Sequence, residues 1–535
     1  MKVNQIPYNS LKIYSELIKD YQDENKGLIS SITSFPSIES LSSISDFKLK
    51  EFSNINRNNL IEVLKDQYRD IKTSKNVEKN LNFLSKKNGV TVTTGHQLSL
   101  MTGPLYFIYK IISIIKLSNQ LNNKKTGNHY IPIFWMASED HDFEEIRSFY
   151  FKGRKIVWSQ TSGGPVGELS IEKLDCLKLF IEEELGASKS SMAIKTIIKE
   201  TYFSAKTLSE ATFGIVNKLF SDYGLLIIDP NSRKLKETMI PFFKQELFHQ
   251  NCQKQVKIQI DSLRKNYNKN YKPQVNPREI NLFYITKGER NRILKTNDGF
   301  KLSNSKITFT KTEMKKELIE FPEKFSPNVL IRPLYQEVIL PNIAYIGGTA
   351  EISYWLQLKA FFDNQNIILP ILIIRNSALL VSSKISKRMA KLNISYSDLL
   401  NGKNYLIKNK IKELSSISLD LQFLKNKLDS QFEFLEKIVS KTDSSFEGAV
   451  KAQKAKQYKG IDNLEKRLLR AQKRKLNNHV KKTELIYDTL FPNGTLQERK
   501  ENFFDYFLQF DYNFIPDLMN NFEPLNKEFT ILESE

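Results

Sequence analysis

The chain is poor in the residues that most often announce a function. Cysteine occurs twice, at Cys176 and Cys252, and histidine five times in 535 residues. Two cysteines so far apart make neither a disulfide framework nor a cysteine-rich zinc site, so no zinc is expected. No apolar run reaches the ~20 residues of a membrane span. The opening MKVNQIPYNSLKIYSEL lacks the apolar centre of a secretory signal, which points to a soluble, cytoplasmic protein with no membrane partner. Neither G-x-x-x-x-G-K-[ST] nor G-x-G-x-x-G occurs, which excludes the P-loop and the dinucleotide fingerprint.

Negative charge is also in short supply: the net charge is +20. Such a balance invites a nucleic-acid reading. The lysines, however, belong to a Lys-, Asn- and Ile-rich background spread along the chain. They thicken only at 451–482, where Tyr458 alone supplies an interleaved aromatic. A solvated charged face fits that run better than a nucleic-acid partner.

Hydrophobic residues make up 40% of the chain, enough for several cores. Residues 1–90 read as mostly helical with polar loops. From 90 the pattern alternates. VTVTT is a buried strand, PLYFIYKIISIIKLSNQL a helix near 104–122, and HYIPIFWMAS a strand buried on both faces. SFYFKGRKIVWSQ reads as a hairpin, LSEATFGIVNKLFSDYG as a helix closed by Gly224, and LLIIDP as another strand. A helix follows to about 268, and then hairpins, one with an Asn-Asp-Gly turn. AYIGG, TAEISYWLQLKAFFDNQ and IILPILIIR resume the strand–helix–strand alternation of a parallel sheet covered by helices. Beyond 381, Ile417, Leu421, Leu424, Leu428, Phe432, Leu435 and Ile438 recur at spacings of three and four. Ile461, Leu464, Leu468 and Ala471 repeat the pattern, with KTDSSFEG as the reversal of an antiparallel helical hairpin.

Three clusters sit where an open α/β sheet binds ligands, beyond the carboxyl ends of strands. In TTGHQLSLMTGP, His96 and Gln97 offer polar groups, Gly95 and Gly103 allow close backbone approach, and the next helix would present N–H groups to an anion. In SEDHDFEE, five acids, Glu139, Asp140, Asp142, Glu144 and Glu145, surround His141; their field favours a protonated imidazole, which could move a proton or pair with phosphate, and paired carboxylates could instead hold Mg²⁺ or a substrate amine. Glu144 and Glu145 are explained by the helix dipole alone. In RPLYQEVILPNIAYIGGTAEISYW, Arg332 is an anion clamp, with Gln336 beside it; Gly347 and Gly348 precede a helix capped by Thr349, with Glu351 in its first turn.

TTGHQ…TGPLYFIYKI, PIFWMASEDHDFEEI, GGPVGEL at 163–169, FSPNVLIRPLYQEVILPNIAYIGGTAEISYW and FPNGTLQER follow one another in that order. This ordered set resembles the BshC family, the cysteine ligases of bacillithiol biosynthesis. The resemblance runs over nearly the whole chain and is densest at 90–170 and 325–377. It implies an α/β fold: a Rossmann-like, nucleotidylyltransferase-type core over 1–380 with a helical N-terminal part and connecting segments inserted at about 150–205 and 240–325. It further implies an α-helical antiparallel coiled coil over 381–485 that makes a homodimer, and a segment 486–535 that returns to the core.

The reaction so implied joins cysteine to the amine of glucosaminyl-malate. A free carboxylate needs activation first, so ATP or ADP with Mg²⁺ is expected. TTGHQ occupies the place of a histidine-rich phosphate signature but holds one histidine, and His141 is the spatial candidate for the second. His96, Gln97, Asp140, His141 and Asp142 then carry the chemistry. Gly95, Gly103, Glu139, Arg332, Gln336, Gly347, Gly348 and Glu351 hold substrate or nucleotide. The alternatives are an RNA-binding protein using its basic coiled coil, and a non-catalytic nucleotide-binding scaffold.

Overall fold

In a computed structural model, residues 1–160, 163–439, 441–442, 444–510 and 513–534 are described. Met1–Ser10, Tyr14–Leu379 and Gln497–Leu532 gather into one compact unit, and a second centres on Leu380–Leu496.

The first unit is built on a five-stranded sheet. Its strands β1 (Gly89–His96), β2 (His129–Met136), β3 (Leu226–Ile228), β4 (Asn342–Gly347) and β5 (Ile371–Ile374) are all parallel and lie in the order β5-β4-β1-β2-β3. Counted from the other edge this is 3-2-1-4-5, the doubly wound order. β1 and β2 pair from Gly89 opposite His129 to His96 opposite Met136. Both are buried almost end to end, which is why they read as β-branched or apolar runs rather than as alternating ones. The threonines of β1 are satisfied inside: Thr93 donates to Asn342 Oδ1 at 2.8 Å and Thr94 to the Ile346 carbonyl at 2.7 Å. Asn342 in turn donates to Glu337 at 2.7 Å, and Glu337 pairs with the buried Lys48 at 2.9 Å.

Helix α1 (Tyr106–Asn123) follows β1 and is buried along most of its length. α2 (Arg332–Ile339), with Pro333 in its first turn, leads into β4, and α3 (Thr349–Trp355) follows it. The cap of α3 is Gly348 rather than Thr349: the Glu351 side chain reaches back to accept the Gly348 N–H at 3.1 Å. Two helices expected to be continuous are each broken in two. Ile240–His249 and Asn251–Asn266 part at Gln250, whose φ is 50°, where Glu246 accepts the Cys252 N–H at 2.9 Å. The run after β4 likewise divides into α3 and Lys359–Asn364.

Between β3 and β4 an antiparallel sheet is inserted, made of Leu282–Thr286, Glu289–Lys295, Gly299–Leu302, Thr308–Thr310 and Phe325–Pro327. Its Asn-Asp-Gly turn closes with Thr296 N–H on the Gly299 carbonyl at 2.9 Å. The Lys152-Gly153 turn closes the hairpin Ser148–Phe151/Arg154–Val157, both residues having left-handed φ, 45° and 78°.

The second unit contains α4 (Lys403–Leu414), α5 (Gln422–Val439), α6 (Ser444–Lys475) and α7 (Asn477–Leu490). α5 and α6 run antiparallel, tied by Asp429–Lys454 at 3.1 Å and Lys425–Asp462 at 2.6 Å. The expected seam divides. Leu428 and Phe432 are buried with Val450, and Leu435 and Ile461 pack on them. Leu468 packs instead on Ile407, Ile411, Leu419 and Val480. Ile417, Ile438 and Leu464 are exposed. The reversal read at 441–448 includes Asp443, which lies outside the described residues. α7 runs on past 485, and the chain rejoins the first unit at Gln497. Among the described residues no helix is long and apolar enough to cross a membrane.

Candidate active site

Chain order reverses between β1 and β4, so the loops leaving their carboxyl ends diverge and open a crevice. A cavity of about 510 Å³ lies there. Of the residues singled out from sequence, it gathers Gly95, His96, Gln97, Glu139, Asp140, His141, Arg332 and Glu351 on its wall.

His96 ends β1. Its Nδ1 lies 2.8 Å from the Gln97 carbonyl, which can only accept, so Nδ1 carries the proton. Nε2 has no hydrogen-bond partner among the described residues and offers a lone pair. Burial, with the nearby Lys110 charge, pulls the imidazole down to about 4, so the ring is neutral at physiological pH. The phosphate donor expected of His96 is therefore replaced by an acceptor. Lys110 of α1 is 3% exposed. It donates to the Gly95 carbonyl at 2.8 Å and pairs with Glu351 at 2.6 Å, joining the ends of β1 and α3 across the crevice. Glu351 also takes the Tyr345 hydroxyl at 2.5 Å. Burial alone would raise its carboxyl, but Lys110 and these hydrogen bonds hold it below the usual range.

Arg332 stands beside β1: a Cβ on Gly95 would lie 3.5 Å from its Nη1. It donates to Gln336 at 3.2 Å and has Tyr354 at 3.5 Å, with no carboxylate within ion-pair distance among the described residues. Glu351 on the same wall acts on it without a direct ion pair, and a guanidinium with no direct carboxylate partner on a concave wall suits an anionic ligand.

His141 belongs to the turn after β2. Arg290, from the inserted sheet, approaches its Nδ1 at 2.9 Å. A guanidinium only donates, so Nδ1 accepts and the proton sits on Nε2. The acids do not face the ring alone: Asp140 Oδ1 lies 3.5 Å from the same Nδ1, and the Arg290 guanidinium stands nearer. Asp140 accepts from Gln97 at 2.7 Å and from the His141 backbone N–H at 2.8 Å, with Arg290 at 3.8 Å. Burial would raise its carboxyl; the contacts with His141, Gln97 and Arg290 together hold it well below the usual carboxylate range. Its oxygens are committed, so it orients the turn and does not take a proton. GGPVGEL ties the two sides together. Val166 N–H donates to the Asp140 carbonyl at 2.7 Å, and Arg290 N–H to the Gly163 carbonyl at 3.3 Å. Gly167 is required there, since a Cβ would meet the Ser209 Oγ at 2.4 Å and the Ser138 Cβ at 2.7 Å.

The remaining sequence candidates are elsewhere or otherwise engaged. Glu139 is paired with the buried Lys236, which also donates to the Glu323 carbonyl at 2.8 Å. Asp142 is exposed and off the cavity wall. Gln336 is wholly buried behind Arg332. Gly347 and Gly348 leave room for Glu351, whose Cβ and Oε1 would meet their Cβ atoms at 3.1 and 3.2 Å. Gly103 lies in the turn before α1 with φ 63°. Two of the N–H groups at the start of α1 are not free for an anion either: Leu105 donates to the Glu501 carbonyl at 2.8 Å and Phe107 to Pro104 at 3.0 Å.

Sequence reasoning missed Lys110, Arg290 and Glu145. Lys110 did leave a signal, a lone cation interrupting the apolar run LYFIYKIISII. Arg290 left none, because it is one of several charges on a hairpin. Glu145, assigned to the helix dipole, lines the cavity.

Two family models match the chain. "Bacillithiol biosynthesis BshC, N-terminal Rossmann-like domain" covers residues 1–376, and "Bacillithiol biosynthesis BshC, C-terminal coiled-coil domain" covers 378–534. Relatives named "Putative cysteine ligase BshC" include one from Flavobacterium johnsoniae, 44% identical over 99% of this chain and 100% of that protein. One from Flavobacterium psychrophilum is 44% identical over 100% of both, and one from Christiangramia forsetii 42% identical over 99% of both.

Proposed function

The chain belongs to the BshC family of bacillithiol biosynthesis, and from that premise we propose that it is a cysteine ligase forming an amide bond between the carboxyl group of cysteine and the amine of glucosaminyl-malate. The observation that carries the assignment to this crevice is one cavity bearing both Arg332, which has no direct ion pair among the described residues, and two histidines that offer opposite hydrogen-bonding character. The carboxylate oxygen would take up a phosphoryl or adenylyl group from ATP or ADP, giving an acyl phosphate or acyl adenylate from which phosphate or AMP leaves as the amine attacks, and Mg²⁺ would come with the nucleotide phosphates. Arg332 and the His141 Nε2–H face the negative charge of the activated group and of the oxyanion formed when the amine attacks. Glu145, which has no ion pair or hydrogen bond among the described residues, attracts the amine. The His96 Nε2 lone pair receives an N–H of the amine and takes its proton as the bond forms. Lys110, Gln97 and Asp140 orient these groups.

The homodimer belongs to this reading too. On α5, Phe423, Phe434 and Ile438 lie on one stripe and are 55%, 68% and 39% exposed, beside a hairpin core already filled by Leu428 and Phe432. A second copy covering that stripe would remove it from water. Light scattering should give twice the 62.3 kDa chain mass, and Phe434→Lys should return the monomer. The catalytic reading is tested by mass spectrometry of a reaction containing cysteine, glucosaminyl-malate, ATP and Mg²⁺. The condensed product should accumulate, and its absence with every nucleotide tried would reject the assignment.

A further inference from the structure

The turn that follows the Gly-His-Gln stretch is strained. Met101, Thr102 and Gly103 have φ of 53°, 65° and 63° in succession. Only the glycine adopts this backbone freely; a β-branched threonine there is an outlier. Thr102 is 2% exposed, and its hydroxyl has no hydrogen-bond partner among the described residues. Locally one backbone hydrogen bond closes it, from the Gly103 N–H to the Leu100 carbonyl at 2.9 Å. Otherwise it is held from outside, chiefly by the segment near the far end of the chain that begins at Gln497. One amide, Asn502 Nδ2, donates to both the Met101 and the Gly103 carbonyls at 2.7 Å. Its Oδ1 accepts the Phe504 N–H at 3.0 Å, so every polar atom of this fully buried side chain is used. Tyr202 accepts the Met101 N–H at 2.8 Å.

The turn is packed directly onto the site. A Cβ on Gly103 would lie 2.6 Å from the Ser99 Cβ, so Ser99 rests against it. The Ser99 N–H donates at 2.9 Å to the Gln97 carbonyl, the same oxygen that holds His96 Nδ1. We propose that Asn502 is a positioning residue: it clamps the left-handed turn 101–103 and, through Ser99 and the Gln97 carbonyl, fixes the His96 ring with its Nε2 lone pair free. The consequence for ligation rests on the function proposed above; the consequence for the ring does not.

The test is nuclear magnetic resonance of the full chain with ¹³C,¹⁵N-labelled histidine, the His96 signal being assigned by its loss in His96→Gln. In the wild type the ring should show one tautomer, protonated at Nδ1. In Asn502→Ala the two tautomers should mix and the titration midpoint move from about 4 toward 6.5. The kcat of ligation should drop by about tenfold or more at unchanged KM, the signature of a misplaced group. Adding Met101→Gly and Thr102→Gly removes the need for a clamp and should restore the single tautomer. A folded Asn502→Ala with the wild-type His96 signal would overturn the proposal. So would a disturbed signal that the glycines fail to restore. Should Asn502→Ala alone not fold, the triple variant decides: a single tautomer supports the clamp, and failure to fold in both overturns it. An inactive wild type with the expected tautomer behaviour would count against the proposed reaction and leave the clamp standing.

Discussion

The wall of the cavity formed by β1, α1 and α3 and the wall formed by the turn after β2 and the inserted sheet treat their histidines in opposite ways. On the first, a backbone carbonyl holds Nδ1–H of His96 and leaves a lone pair at Nε2. On the second, the Arg290 guanidinium occupies Nδ1 of His141 and leaves an N–H at Nε2. Neither partner titrates in the physiological range, so neither tautomer depends on a neighbouring protonation event. The cavity gains one acceptor and one donor from the same residue type because the walls come from different parts of the chain, a β-strand end and a strand of an insertion.

The two walls also differ in their arginines, and the largest effect should come from exploiting this. Arg332 has no direct carboxylate partner among the described residues and serves one buried acceptor, Gln336 Oε1, so Arg332→Met should cost less stability than Arg290→Met and lower kcat/KM by about 10²–10³-fold, the scale of losing one preorganised charge-stabilising donor. Arg290 donates to Ser326 at 3.0 Å and the Pro327 carbonyl at 2.8 Å as well as to His141. Arg290→Met leaves those acceptors and Asp140 unserved and should lower stability by about 1–3 kcal/mol. Parallel melts and steady-state kinetics check the contrast. Equal loss of stability in both would erase the distinction between a ligand-facing and a structural cation.

The tautomers themselves can be broken next. Glutamine can keep one hydrogen bond of an imidazole but does not titrate. His96→Gln should reduce kcat by about 10²-fold, the usual contribution of a proton acceptor. His141→Gln can still donate and should cost less. If His141→Gln proves the more damaging, the donor and acceptor assignments are reversed.

Much of this comparison was legible in the sequence, though not its polarity. The parallel strands were readable because burial on both faces leaves uninterrupted β-branched and apolar runs, and the loops after β1 and β2 could be recognised as a ligand-binding edge. Helix continuity was not readable at Gln250 or at Leu356–Leu358, because the interruptions come from side chains and packing rather than from a proline or glycine. His96 and His141 could be marked, but their hydrogen-bonding character depends on a carbonyl one residue away and an arginine from the distant hairpin. Charge density around His141 suggested protonation. The structure sets Arg290 at 2.9 Å and Asp140 at 3.5 Å from the same ring nitrogen, and no local pattern announces the arginine.

A smaller effect separates the histidines by pH. The folded pKa of His96 is depressed to about 4 from 6.5. Between those values the unfolded chain binds the proton and the folded chain does not. The His96 contribution to stability is therefore whole above pH 6.5 and is lost as pH falls toward 4, at up to about 1.4 kcal/mol per pH unit. His129 has the same displacement, to about 4, so the wild type carries both losses and His96→Gln only one. Denaturant melts from pH 7 to 4 should show His96→Gln declining less steeply than the wild type. Parallel curves would mean that His96 is solvated in the folded protein and that its wall is wetter than described.

The smallest effect tests the acidic turn beside His141, where two adjacent glutamates differ only in direction. Glu144 pairs with Arg147 at 2.9 Å and is 73% exposed, away from the cavity wall. Glu145 lines the cavity with no ion pair or hydrogen bond among the described residues. A solvated carboxylate attracting an amine contributes on the scale of an exposed ion pair, about 0.2–1 kcal/mol. Glu145→Gln should therefore raise KM for the amine substrate by no more than about fivefold at unchanged kcat, an effect that fades at high salt as the charge is screened. Glu144→Gln should change nothing measurable in kinetics and at most about 0.5 kcal/mol in stability. Equal increases in KM for both variants would mean that the substrate senses the summed field of the turn and not one carboxylate. No increase for either would move the amine to the other wall, beside His96, and leave His141 to act on the activated carboxyl alone.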